Sequence, residues 1–188
     1  ATAAAIVSNG AAPVFGDIEA ETFGLAPESV EARITPKTKA ILAVNLFGHP
    51  CDLWELNRIA QERGLVLVED NAQSPLASMH HRLAGTWGAI GVQSLNYHKC
   101  IQSGEGGIAL TDDVNLWRNM VHIRNHGEAV GDSVIGGNHR MTELTAAVAI
   151  AQLAKMEGLI NIRQRLATNL TEALGPCNFI APSHTCNG

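Results

Sequence analysis

Gln93-Ser94-Leu95-Asn96-Tyr97-His98-Lys99-Cys100-Ile101-Gln102-Ser103-Gly104-Glu105-Gly106-Gly107 sets a lysine between an apolar strand and a glycine turn. Upstream, Leu65-Val66-Leu67-Val68-Glu69 reads as another apolar strand, closed by Asp70. Continuous hydrophobicity of this kind suits strands covered on both faces. Working outward, strand-like runs at Pro13 to Asp17, Ala40 to Leu46, Leu65 to Glu69, Gly91 to Leu95 and Gly107 to Thr111 alternate with amphipathic stretches. The alternation predicts an α/β fold with a mostly parallel sheet flanked by helices.

The clearest helix lies between Asp52 and Arg63. Asp52 is a capping residue, Glu55 completes a capping box and Gly64 supplies the stop. Leu53, Leu56, Ile59 and Ala60 make its buried stripe. Pro27 to Ile34 is a shorter helix with no capping side chain at Ala26, and Asp113 to Arg124 is expected to pack Val114, Trp117 and Val121 inward. From Thr142 to Leu174 the pattern turns helical over a long stretch. Leu144, Ala147, Val148, Ala151 and Leu153 form a dense face there, and Gly158 is expected to mark a break. A soft domain boundary follows, dividing 1–155 from 156–188.

Composition narrows the function. The chain has 188 residues, 46% of them apolar, enough for one sizeable globular domain. Its net charge is −5 and its 13 Lys and Arg are scattered, so it carries no electrostatic footprint for nucleic acid. The longest apolar runs are strand-sized, which argues against a membrane span. Cys51, Cys100, Cys177 and Cys186 show no CxxC spacing, so reduced thiols of a cytoplasmic protein are expected. The eight histidines make no metal signature, and no metal site is expected. The chain runs from Ala1-Thr2-Ala3-Ala4-Ala5 to Thr185-Cys186-Asn187-Gly188 and reads as a piece of a longer protein.

Chemistry gathers at the strand ends, where open α/β sheets bind ligands. A primary amine condenses with an aldehyde, and a carboxylate holds a heterocyclic nitrogen protonated. Lys99 and Asp70 are the pair that pyridoxal phosphate chemistry needs. Asn71-Ala72-Gln73 puts a neutral hydrogen-bonding side chain beside the carboxylate. Ser94, five positions before Lys99, offers a hydroxyl that donates to a phosphate oxygen or bonds its own backbone. Glu105 reads as a backbone clamp rather than a general acid.

An ordered set of stretches now carries a resemblance. It includes Pro13-Val14-Phe15-Gly16-Asp17-Ile18, Asn45-Leu46-Phe47-Gly48-His49-Pro50, Glu69-Asp70-Asn71-Ala72-Gln73 and Ala84-Gly85-Thr86-Trp87-Gly88. The lysine segment, Arg124-Asn125-His126-Gly127 and Gly137-Asn138-His139-Arg140-Met141-Thr142-Glu143-Leu144 complete it. Together they resemble the DegT/StrS-type sugar aminotransferases, a branch of the fold-type I pyridoxal phosphate enzymes. The resemblance implies a three-layer α/β/α large domain, incomplete at both ends, and then a linking helix and the start of a small carboxy-terminal domain. It implies that Lys99 carries pyridoxal 5'-phosphate as a Schiff base and that Asp70 pairs with the ring nitrogen. Gln73 would lie against the ring, and Ser94 would bind the phosphate. Asn138 would reach the phosphate from the neighbouring subunit of a homodimer with a shared active site, with Arg140 supporting its loop. Gln93, Cys100 and Gly137 depart from the residues usual at those positions.

The implied activity is transfer of an amino group from L-glutamate to a keto group of a nucleotide-linked sugar. Family members that dehydrate sugars can carry histidine at the lysine position, so Lys99 favours transamination. A dehydratase or eliminase, a non-catalytic regulatory homologue and an inactive fragment are the rival expectations.

Overall fold

The computed structural model describes residues 1–128 and 134–175. In chain order its elements are α1 (Thr2–Ser8), α2 (Pro27–Arg33), β1 (Ala40–Val44), α3 (Leu53–Arg63), β2 (Val66–Asp70), β3 (Ser78–Met79) and β4 (Arg82–Leu83). Then come β5 (Ile90–Ser94), β6 (Gly107–Leu110), α4 (Val114–Arg124), α5 (Glu143–Leu153) and α6 (Met156–Leu174). The main sheet has the order β1-β2-β5-β6, with β1, β2 and β5 parallel and β6 returning antiparallel. The α/β class and the mostly parallel sheet are therefore as expected.

The Asp52 carboxylate caps α3 by accepting from the Glu55 amide at 3.0 Å, and Gly64 ends the helix with φ of +63°. The expected capping box is only half formed. Glu55 turns instead to Arg58, whose Nε donates to both its oxygens at 3.0 Å. That bond holds the Glu55 carboxyl below its ordinary range. A charged fork three residues away outcompetes a neutral amide. Leu53, Leu56, Ile59 and Ala60 are buried against Ile41, Ala43 and Leu67, as the stripe predicts. Each of the larger side chains contributes about 2 kcal/mol by leaving water.

Other expectations need correction. Pro13 to Asp17 is not a strand: no neighbour pairs it among the described residues, and Val14 and Phe15 are exposed. The nearest ladder contact is an isolated bridge between Ile18 and Leu25. In α4, Val114 and Trp117 face solvent rather than a core, because no described residue covers that side. The anchored residue of α5 is Ala149, packed with Leu95 and Ile101, whereas Leu144 of the expected face is 82% exposed. The helical stretch breaks at Ala154 and Lys155, and Gly158 lies inside α6. Of the expected second unit, residues 176–188 lie outside the described residues, Cys177 and Cys186 among them.

What positions the strand ends is a buried polar network. Strand alternation turns Leu67 and Glu69 to the α3 side and Asp70 to the other. Glu69 is fully buried. Its Oε1 accepts from the amides of Trp87 and Gly88 at 2.6 and 2.7 Å. Its Oε2 accepts from the Gly85 amide at 2.6 Å and from Asn45 Nδ2 at 3.2 Å. Asn45 also donates to Asn71 Oδ1, which holds Ala84 O through Nδ2, and its own Oδ1 accepts from the Cys51 amide. Ser74 closes the set by donating to Asn45 O at 2.7 Å. Three loops are thus tied together at the carboxyl ends of β1 and β2. Gly91 permits the close approach: a Cβ there would sit 1.9 Å from Gly85 O.

Glu69→Gln keeps the volume but replaces one acceptor oxygen with a donor facing backbone amides. Urea unfolding should show a loss of roughly 3 kcal/mol; an unchanged midpoint would remove the network from its structural role. Burial also pushes the Cys51 thiol up from 9.0 to about 11. The raised value means that Cys51 favours the folded state below the unfolded-chain pKa and that this contribution fades as pH climbs through about 11. Between about pH 8 and 11 the native protein should lose about 2 kcal/mol more than Cys51→Ala, and parallel pH curves would refute this.

Candidate active site

Asp70 is the last residue of β2, and its main chain is fixed on both sides. Its carbonyl accepts from the Asn45 amide at 2.9 Å, and the next amide, of Asn71, donates to Val92 O at 2.9 Å. The side chain leaves the sheet on the face opposite Glu69. There Oδ1 accepts from the Ala72 amide at 3.1 Å and Oδ2 from the Thr2 hydroxyl at 2.6 Å. In the parallel ladder Asp70 pairs with Val92, and Ser94 is the next residue of β5 on that same face. Neighbouring strands lie about 4.8 Å apart, so the carboxylate and the hydroxyl emerge from adjacent strand ends.

Ser94 Oγ accepts from the Asn96 amide at 3.3 Å, and its hydrogen has no acceptor among the described residues. The local backbone bond and a free donor therefore coexist. Lys99 follows in the turn, where its amide donates to Asn96 O at 2.9 Å. Lys99 is half-buried, and its ammonium makes no hydrogen bond or ion pair among the described residues. Buried Leu95 and Ile101 anchor the turn on either side of it. Gly104 and Gly106, at φ of +89° and +148°, let the chain double back so that the Leu95 amide reaches Gly106 O. Glu105 clamps a side chain rather than the expected backbone, accepting from Asn96 Nδ2 at 2.7 Å.

Gln73 is exposed just beyond β2, its Oε1 3.4 Å from the Phe47 amide. Asn138 stands apart, on a segment bridged to Asn125, and is hydrogen-bonded to none of the other four. Arg140 grips it, Nε donating to Asn138 Oδ1 at 3.1 Å while a terminal nitrogen donates to His126 Nε2 at 3.2 Å. Arginine has only donors, so the His126 nitrogen is the acceptor. Reading the chain missed Thr2 altogether, since 68 positions separate it from Asp70. It also missed the structural weight of Glu69. The one available signal was an acidic residue at an inward position of an apolar strand.

The donor set suits pyridoxal phosphate. Among the described residues, it offers an amine without an ion pair for an aldehyde and a hydroxyl hydrogen without an acceptor for a phosphate. The carboxylate has two of its roughly four lone-pair sites taken, which leaves capacity for a protonated ring nitrogen. These groups fit the cofactor; no cation-binding chemistry is needed to explain them.

Known proteins agree. GDP-perosamine synthase of Escherichia coli O157:H7 is 37% identical over 167 residues, covering 87% of this chain and 46% of that protein. L-glutamine:2-deoxy-scyllo-inosose aminotransferase of Streptomyces kanamyceticus is 38% identical over 188 residues, covering 93% and 44%. The crystal structure of DesI in the presence of its TDP-sugar product superposes with a TM-score of 0.87 at 34% identity, covering 92% and 45%. An E. coli GDP-4-keto-6-deoxy-D-mannose-3-dehydratase with bound hydrated PLP shares the fold at a TM-score of 0.81 and 30% identity, covering 90% and 49%. The chain thus spans just under half the length of the curated relatives it matches. With residues 1–187 matching throughout, this chain belongs to the DegT/DnrJ/EryC1/StrS aminotransferase family of pyridoxal phosphate enzymes.

Proposed function

We propose that the whole protein moves an amino group from an amino acid, L-glutamate in the first instance, to a keto group of a nucleotide-linked sugar. It would do so in the cytoplasm as a homodimer with shared active sites. Residues 1–155 would belong to the cofactor-binding domain, and 156–188 would lead into a second. The observation that carries this reading is the register of β2 and β5. It sets Asp70 and Ser94 on one face, with the Lys99 amine, unpaired among the described residues, in the turn that follows.

Pyridoxal phosphate, when bound, supplies an electron sink for the carbanion left when an α-proton departs. Lys99 would hold the cofactor through its amine. Once displaced by the amino donor, it would carry the proton between the substrate α-carbon and the cofactor's benzylic carbon. Asp70 would keep the ring nitrogen protonated, since a carboxylate beside it favours the charged form. Gln73 would lie against the ring near its hydroxyl, and Ser94 would donate its unused hydrogen to the phosphate. Asn138, presented by Arg140, would reach the phosphate of the partner subunit's site. When the keto-sugar replaces the keto acid, Lys99 would return the proton in the opposite direction.

Support comes from relatives named for synthesis of GDP-perosamine and for amino transfer to an inosose. One of them is named for glutamine, so both donors belong in the assay. The dehydratase neighbour makes loss of water from the sugar the competing reaction. Lysine at position 99 argues for amination. Two measurements on the full-length protein test this. Its visible absorbance band with pyridoxal phosphate should vanish in Lys99→Ala, and an identical band in both would remove Lys99 from its role. Aminated sugar should form only when glutamate or glutamine is present; a deoxygenated product without amine incorporation would replace transamination with dehydration.

A further inference from the structure

The Asp70 carboxylate has two donors, one local and one remote. The Ala72 amide is two residues away and forms a turn that any aspartate here could make. The other donor is the hydroxyl of Thr2, 68 positions upstream, at 2.6 Å from Oδ2. Thr2 is the first residue of α1, next to the N-cap Ala1. Its hydroxyl leaves the helix and donates to Asp70. Thr2 itself is half-buried, and no residue of α1 is fully buried.

We propose that Thr2 is a positioning residue for the Asp70 carboxylate, holding Oδ2 while the Ala72 amide holds Oδ1. This rests on the reading of Asp70 as the partner of the cofactor's ring nitrogen. The β2 backbone fixes the Asp70 Cα, but rotation about Cβ–Cγ still decides where the two oxygens point. One donor leaves that rotation loosely held. A donor on each oxygen fixes the carboxylate plane, and with it the direction of the remaining lone pairs. Thr2 touches no reacting atom and acts only through Asp70.

The test uses the full-length protein, with Thr2→Val removing the hydroxyl at nearly constant volume and Thr2→Ser restoring it. Cofactor affinity is read by fluorescence titration with pyridoxal phosphate, and stability by urea unfolding of the cofactor-free protein. Thr2→Val should bind about five- to tenfold more weakly. That is less than the full worth of a charge-assisted hydrogen bond, because the bond is made with and without cofactor and only the lost orientation of Asp70 reaches the ring. Thr2→Ser should stay within about twofold of native. If the Val variant is too unstable to titrate, Thr2→Ala against the same Ser variant gives the same comparison. Native affinity in Thr2→Val overturns the proposal. So does an equal loss in the Val and Ser variants, which would assign the effect to packing. Lys99→Ala keeps the two readings apart. If its absorbance band matches the native one, the site itself is wrong; if only the Thr2 series is silent, the site stands and Thr2 has no part in it.

Discussion

The Glu69 carboxylate, fully buried, accepts hydrogen bonds from the amides of Gly85, Trp87 and Gly88 and from the side chain of Asn45. An isolated charge in such a place would cost several kcal/mol, so its four donors are a condition of folding rather than decoration. They also decide geometry. The loop at 84–88 folds back over β2 and β5 closely enough that Gly91 has no space for a side chain. Asn45, Asn71 and Ser74 then carry the same connection to the loop after β1.

The candidate site lies on the other side of that clamp. Because strand side chains alternate, a Glu69 fixed on the α3 side leaves Asp70 directed at the opposite face. Its neighbour β5, paired residue for residue, brings Ser94 out on that face, and the turn anchored by Leu95 and Ile101 presents Lys99 next. Three candidate groups are thus placed by main-chain register and two anchored side chains. The fourth donor type, Asn138, belongs to a different segment with its own support from Arg140 and His126.

Much of this is legible in the chain. The α3 stripe, its Asp52 cap and its Gly64 stop were readable because a helix's period and ends are local chemistry. The four main strands could be found to within a residue or two for the same reason. The β3–β4 hairpin was not. His80 and His81 take φ of +50° and +60° at its turn, where glycine or asparagine would have given the signal. The inward faces of α4 and α5 also misled, because periodicity tells which side is apolar and not what covers it. Trp117 is exposed on such a face, and Ala149, unremarkable by periodicity, is the residue that packs.

The order of motifs was enough to name the chemistry: an amine, an acid, a hydroxyl and an amide in a fixed sequence along an α/β chain. Residue types and spacing are properties of the chain itself, so they survive without coordinates. Tertiary structure alone decided that Glu69 and Asp70, adjacent in sequence, serve opposite faces, one holding the fold and one facing the site. It alone brought Thr2 to Asp70 across 68 positions. Contacts of that kind depend on where helices and strands pack, and no local pattern of residues encodes them.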